Sequence, residues 1–495
     1  MYHSVLLCGS KYETAGRNIA GYRLRTAANK FGYNSLVLDS ATAMTEAELV
    51  SVLDHTITDQ TLMLGISTVW LNGNVAGGGI GIEWCTREFF KRIKIKFPKI
   101  KIVAGGVGLL KLRGSQAIYD SADWHVTGFS DDSYPRLLMM LEGKSGHGLK
   151  YFVDTNGRHT IDSNRAHKIT DPNEIETILE EGDEFLSHQP IPLEVSRGCI
   201  FRCVFCNHPF TGAKDADSYI RTPESIANEL KRNYELFGTT RYSLMDDTFN
   251  DSFEKLDRLE KAIDLAKLPN FEFQAYTKPE LLATKPAMND QLIRLGIVGG
   301  FAGIESLNSR ARKEMNKGMD VQRVFDALTN LTIKSSKIKL HASIIIGLPG
   351  DTLNDVNDWQ SFFIKNQSTL FRSWEYAGLG IYQPSTLETD NTNLSPIEKD
   401  PEKYGYKIIK SAPGKYIHWA TDTMDANQAS KLAVKLNEDT RHVATPGGWY
   451  VSSAWNVNET DEAMNTTTLV NLQLGRKSLE SARARAIKTV QKLTN

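Results

Sequence analysis

Cysteine is scarce in this chain of 495 residues: there are five, and three of them fall between positions 199 and 206. Thiols so few and so clustered exclude a disulfide framework, which needs a dispersed, even set. A surplus of one charge is also missing, with 58 Lys+Arg against 59 Asp+Glu. No bulk field therefore argues for nucleic acid or an anionic membrane surface. No run approaches about eighteen apolar residues. Met1-Tyr2-His3-Ser4 has no basic region ahead of an apolar one, so neither a membrane span nor a secretory leader is expected. Repeats and long low-complexity tracts are absent too. What remains is a chain long enough for two or three domains with real cores, expected in a reducing cytoplasm.

The clustered cysteines stand in Arg197-Gly198-Cys199-Ile200-Phe201-Arg202-Cys203-Val204-Phe205-Cys206, directly after the apolar run 191–195. A C-x3-C-x2-C loop at a strand end offers three thiolates to one side of a cubane and leaves the fourth iron open to a substrate or cofactor. The competing reading is a zinc site in which His208 completes a Cys3His set. The βα pattern downstream suits the cluster and not a small zinc module. Cys8 and Cys85 are expected as small buried residues.

Residues 1–148 read as a doubly wound, Rossmann-like α/β unit. Short apolar runs at 4–8, 35–39, 61–68, 99–104 and 124–127 alternate with helical stretches at 15–31 and 84–97, which argues for a parallel sheet. Its ligand crevice is expected beyond the carboxyl ends of the strands. The turns there are small: Gly9-Ser10, Ser67-Thr68, Gly105-Gly106 and Thr127-Gly128 would let a flat ligand approach the backbone. Residues 149–190 form a linker with a hairpin at 151–161 around Asn156-Gly157 and an acidic stretch at 180–184.

Over 191–390 a second series predicts strands at 191–196, 242–246, 271–277, 300–305, 339–347 and 375–382, with helices between them. One helix is well punctuated: Thr222 as N-cap, Pro223 at the first position, Ile226, Leu230, Tyr234 and Phe237 on one face, Gly238 at the end. Six βα units make a partial (β/α)6 barrel, with functional groups gathered at the strand carboxyl ends. Residues 391–495 are an α-rich extension. They end in a basic run (Arg476, Lys477, Arg483, Arg485, Lys488, Lys492), read as a solvated helix face.

The cysteine spacing, with Phe205 before the third thiol, resembles the signature of the radical S-adenosylmethionine (SAM) superfamily. Metal ligation by Cys199, Cys203 and Cys206 to a [4Fe–4S] cluster and chelation of SAM on the open iron are what this implies. The activity implied is reductive cleavage of SAM to methionine and a 5′-deoxyadenosyl radical. Four further stretches are similar to the cobalamin-binding branch of that superfamily: Met245-Asp246-Asp247-Thr248-Phe249, Gln274-Ala275-Tyr276-Thr277-Lys278, Gly303-Ile304-Glu305-Ser306 and Ile346-Gly347-Leu348-Pro349-Gly350-Asp351-Thr352. Singly each is ordinary loop chemistry, a helix cap or a turn; four in order behind the cysteine loop are not. By the same resemblance Phe205 contacts adenine, Glu305 and the Asp246–Thr248 turn hold ribose or the methionyl part, and Gly347 to Gly350, with Pro349, line the adenine pocket. Lys278 is a further cofactor-binding candidate. Ser67, Gly105 and Gly106 would cradle cobalamin on the first unit.

Asp123-Trp124-His125-Val126-Thr127-Gly128 matches D-x-H-x-x-G, the pattern in which a histidine ligates cobalt from below. Here it coincides with a strand and follows Gly105-Gly106, so His125 is read as a strand residue. Gly77, Gly78, Gly79 and Gly81 follow the third strand and not the first, against a dinucleotide fingerprint; they are read as a loop over the ligand. The resemblance implies methylation of an unreactive carbon. Ring contraction, cyclisation or epimerisation, with cobalamin in another role, is the enzymatic alternative. A further alternative reduces the first unit to a partner-binding module, and the non-catalytic one is a zinc-binding protein. Methylthio transfer is disfavoured, because only Cys8 and Cys85 precede the loop. Trp419, Trp449 and Trp455 are candidates for a substrate wall or plain packing. The substrate is expected to be a small molecule or a peptide, and the electron donor a flavodoxin or ferredoxin.

Overall fold

The structure is a computed structural model. It describes residues 1–9, 18–68, 82–106, 116–153, 157–163, 171–183, 185, 190–206, 212–213, 215–365, 370–371, 373–382, 394–411, 417–439 and 483–494. Among them no helix is long and apolar enough to cross a membrane.

Seven strands form the first sheet: β1 (Ser4–Leu7), β2 (Ser35–Leu38), β3 (Met63–Ser67), β4 (Lys101–Gly105), β5 (Trp124–Thr127), β6 (Phe152–Val153) and β7 (His159–Asp162). Their order is β2-β1-β3-β4-β5-β7-β6, and only β6 runs antiparallel to its neighbour. Because side chains alternate along a strand, Val5, Leu7, Leu64, Ile66 and Ile102 enter one core while Leu6, Met63, Val103 and Val126 enter another. Helices Glu46–Thr56 and Arg87–Lys96 cover the first face, and Ile19–Asn29 and Ser133–Leu141 the second, so the sheet is doubly wound.

The 151–161 hairpin exists, with its tip at 154–156 outside the described residues. It does not stand as part of a free linker: β7 pairs in parallel with β5 and extends the first sheet. The acidic stretch is pinned as well. The Arg25 guanidinium donates to both oxygens of Asp183 at 2.8 and 2.6 Å, and Asp183 is buried.

The second sheet is wholly parallel, with strands in sequence order: β8 (Ile191–Leu193), β9 (Arg241–Leu244), β10 (Glu272–Thr277), β11 (Ile297–Glu305), β12 (Lys339–Ile346) and β13 (Ser373–Gly378). Leu193, Leu244, Phe273, Ile304, Ile344 and Trp374 pack outward beneath the helices. The helix Pro223–Phe237 keeps its expected punctuation: Thr222 accepts from the Ser225 amide, and Gly238 takes the left-handed conformation at φ +65°. Its buried face differs. Ile226, Leu230 and Asn233 are buried while Tyr234 is 36% exposed, because the stripe drifts to the i+3 position after Leu230.

Beyond β13 the extension is mixed rather than simply α-rich. A two-stranded ribbon, β14 (Lys407–Lys410) with β15 (His418–Ala420), precedes helix Ala426–Asp439, which packs on β13. The last helix, 483–494, corrects the reading of a solvated basic face. Ala486, Val490 and Leu493 join the core of the first sheet. Arg483 donates to Glu48 at 2.6 Å, and Arg485 meets Asp39 at 3.2 Å. Lys488 and Lys492 are exposed; Arg476 and Lys477 lie outside the described residues.

Candidate active site

The cysteine loop leaves the end of β8 and is fixed by backbone bonds: Arg197 N to Tyr219 O at 2.9 Å, Ala213 N to Cys199 O at 3.1 Å, and Cys206 N to Cys203 O at 3.1 Å. Cys199 is buried, and Cys203 and Cys206 are half-buried. Burial pushes the Cys199 thiol above its ordinary pKa; the Thr248 hydroxyl, 3.5 Å from Sγ, opposes this. Beside Cys203 stands a cationic flank. Lys278 Nζ is 3.9 Å from Cys203 Sγ and 4.6 Å from the Phe201 ring. Lys317 donates to Gly303 O at 2.9 Å and reaches Glu305 at 3.5 Å and Glu280 at 3.8 Å. Arg312 anchors Glu280 at 2.7 Å. Burial lowers the Lys278 pKa, Lys317 lowers it further, and Glu280 and the cysteines oppose. Among the described residues no three His, Cys, Asp or Glu side chains converge on a single-ion position, whereas thiolates on a cubane stand on separate irons. His208 lies outside the described residues.

The strand-end residues divide by what they touch. Asp246 faces inward: its carboxylate accepts from Val195 N at 3.1 Å and Ser196 Oγ at 2.5 Å, tying β9 to the start of the cysteine loop. Burial pushes it up to about 6. Thr248 touches Cys199, and Asp247 is half-buried beside it. Glu305 stands at φ +65°, next to a register shift in the β11–β12 ladder. A non-glycine residue held there stores about 1–3 kcal/mol and marks sites where a side chain is aimed. Burial raises the Glu305 carboxyl and Lys317 opposes. Phe205 is half-buried against the main core. Gly347 is glycine for a reason not foreseen: at φ +97°, a Cβ there would lie 2.5 Å from the Trp419 ring. Trp419 is therefore packing, its indole donating to Leu379 O at 3.0 Å; Trp449 and Trp455 lie outside the described residues. In the same turn Asp351 accepts from Leu348 N at 3.0 Å and Ser306 Oγ at 3.3 Å, and burial pushes it up to about 7. Pro349 is buried in this turn.

A cavity of about 220 Å³ opens at the carboxyl ends of β1, β3, β4 and β5 and is also lined by Glu194, Arg197 and Met245, which follow β8 and β9 of the second sheet. Ser67, Gly105 and Gly106 all line it. At Gly105 an added Cβ would meet only Val126 O, at 3.9 Å, so the shelf is open toward the cavity. The loops 10–17, 69–81 and 107–115, including Gly77 to Gly81, lie outside the described residues. His125 sits on β5, fully buried, stacked on Tyr119 at 4.6 Å with Nε2 3.1 Å from Tyr119 O. Its neighbour Val126 lines the cavity, so strand alternation turns the ring to the other face. Replacement of His125 by Phe is expected to leave cobalamin uptake, followed by its visible spectrum, within about twofold of wild type, since a ring on the opposite face contributes no ligand.

Sequence reasoning missed the wall between this cavity and the cysteines. Arg197, two positions before Cys199, donates to Asp131 at 2.6 Å and to Glu194 at 2.6 and 2.8 Å, and lies 4.4 Å over the Phe129 ring. Arg23 joins from helix Ile19–Asn29, 3.0 Å from Glu194. All four charged residues line the cavity. Burial disfavours the Arg197 charge, but Asp131 and Glu194 more than compensate and hold the guanidinium ionised.

Residues 193–363 match the sequence profile of the Radical SAM superfamily. The hopanoid C-2 methylase of Rhodopseudomonas palustris is 29% identical over 163 residues, 32% of this chain and 30% of that protein. The first curated relatives are thus matched over only 30–40% of their own length. The solved structure of the radical S-adenosylmethionine methyltransferase TsrM from Kitasatospora setae, with tryptophan substrate and a SAM analogue bound, aligns over 97% of this chain and 100% of that one. The TM-score is 0.66 and the identity 14%. OxsB, a cobalamin-dependent S-adenosylmethionine radical enzyme solved with aqua-cobalamin, covers 89% of this chain and 66% of that one, with TM-score 0.58 and 14% identity. At such identities the likeness is one of fold. The cysteine loop, the ordered strand ends behind it and the profile match converge on one stretch: residues 193–363 form a Radical SAM superfamily domain.

Proposed function

We propose that the chain is a cobalamin-dependent radical SAM methyltransferase that acts on an unactivated carbon. The observation that carries this reading is a shared wall: Arg197 lines the cavity of the first sheet and stands two residues from the first cluster thiol. The donor sets fit both groups, three thiols beside two ammonium groups and an open glycine shelf with apolar sides. When bound, the cluster would supply the electron that splits SAM to a 5′-deoxyadenosyl radical, and cobalamin a methyl group.

The protein's part is to hold and to exclude. Cys199, Cys203 and Cys206 would grip the cluster. Lys278 and Lys317 would meet the SAM carboxylate, and Glu305, paired with Lys317 at 3.5 Å, would hold the ribose or the methionyl part. Ser67, Gly105 and Gly106 would support the corrin, with Leu6, Met63 and Val103 excluding water beneath it. The names of relatives, a hopanoid C-2 methylase and a bacteriochlorophyllide d C-12(1)-methyltransferase of Chlorobaculum tepidum, support carbon methylation. Electrons would come from a flavodoxin or ferredoxin, and the substrate is a small molecule or a peptide. The test is anaerobic reconstitution with iron, sulfide and methylcobalamin, followed by SAM and a reductant. Deoxyadenosine together with S-adenosylhomocysteine is the expected result. Deoxyadenosine alone would favour ring contraction, cyclisation or epimerisation, and bound zinc without iron would sink the proposal.

A further inference from the structure

Below the strand ends, the second sheet carries a row of side chains that lies outside the cavity lining. Tyr276 on β10 is in register with Phe301 on β11, and Phe301 with His341 on β12. Their ring centroids follow at 4.8 and 5.5 Å, tilted by 44° and 34°. On β13, Glu375 brings Oε1 to 3.9 Å from His341 Nε2. All four alternate with the outward-packed Ala275, Ala302, Ala342 and Trp374, so they share the opposite face. His341 is buried, Tyr276 and Phe301 are half-buried, and the Glu375 side chain is 32% exposed. Lys278 lies two residues beyond Tyr276, and Glu305 four beyond Phe301. The row is therefore about 7–13 Å further down the strands than the groups beside Cys203.

The chemistry of this row is lopsided. It offers aromatic surface and a carboxylate, and burial, Glu375 and Asp247 all keep the Tyr276 phenol protonated. The lysines stay at the strand ends. Aromatic faces attract cations and flat rings, and a half-buried carboxylate beside them makes charge-assisted hydrogen bonds to nitrogen donors while repelling anions.

We infer that this row is the substrate subsite and that it takes an amine, a protonated or N–H-bearing nitrogen on a flat aromatic or apolar body. The nitrogen is directed at Glu375 and the body lies on Tyr276 and Phe301. His341 stands beside the carboxylate, with Nε2 3.9 Å from Oε1. The inference rests on the radical SAM reading only for what the subsite serves; recognition itself is independent of the chemistry that follows.

The experiment is calorimetric titration of the reconstituted full chain, with SAM present, by two matched pairs: phenethylamine against 3-phenylpropionate, and tryptamine against indole-3-acetate. The amine is expected to bind about tenfold tighter than its acid partner, the scale of one hydrogen bond to a charged group. Glu375→Gln brings the ratio near one, and Glu375→Asp restores most of it. Phe301→Leu weakens both members of a pair and keeps the ratio, which preserves the test if a Glu375 variant does not fold; folding is checked by iron content and melting. Equal binding of amine and acid, no binding of either, or a preference that survives in Glu375→Gln overturns the inference. Loss of SAM cleavage by the wild type is a separate failure, that of the proposed function.

Discussion

Arg197→Met lowers the stability of this chain by about 3–5 kcal/mol, the cost of leaving buried charges unpaired. The size follows from what the guanidinium leaves behind. Asp131 and Glu194 are each 7% exposed, and among the described residues Arg23 alone remains to face both, 3.0 Å from Glu194 and 3.9 Å from Asp131. Burial already lowers the Arg23 pKa, so it is a poor substitute. Arg197→Lys keeps a charge and loses the forked geometry that serves two carboxylates at once, so it falls between methionine and wild type. Denaturant midpoints of the three proteins measure this, read together with cobalamin uptake because the network lines the cavity. A methionine variant within about 1 kcal/mol of wild type would mean that the wall is not held by charge.

Cys203→Ala removes the thiol that Lys278 faces, and the expected outcome is loss of the cluster from about four irons per chain to near none. Deoxyadenosine formation then falls by at least about a thousandfold, more than 4 kcal/mol of barrier. A shallower loss is expected for Lys278→Met, which keeps all three thiols and removes only the adjacent positive charge. Iron analysis and anaerobic turnover distinguish the two. Full SAM cleavage by Cys203→Ala would remove the basis of the assignment.

The difference between what the sequence discloses and what it hides is a matter of separation along the chain. The cysteine loop is legible because its ligands lie within one turn of each other and follow an apolar strand. The strands of both sheets are legible for the same local reason, apolar runs between turns, and so is the Thr222 cap. The Arg197 wall is not: it joins positions 23, 131, 194 and 197, contributed by a helix, the turn ahead of another and the segment after β8. Trp419 against Gly347 is hidden likewise, and Gly-Leu-Pro-Gly alone reads as a ligand turn. The basic tail reads as solvated because its partners, Glu48 and Asp39, are more than 400 positions away. Register hides the amine row: Tyr276, Phe301, His341 and Glu375 become neighbours only when four strands are laid side by side.

The docking of helix 483–494 on the first sheet means that the backbone crosses between the two sheets twice, once between 163 and 191 and again between 439 and 483. Each crossing is a tether for the other. If one attachment loosens, the second keeps the separated surfaces at an effective concentration on the order of millimolar, so re-docking is first order and independent of dilution. An interface sealed by a handful of buried charges can thus stay shut without the large apolar area that two free partners would need.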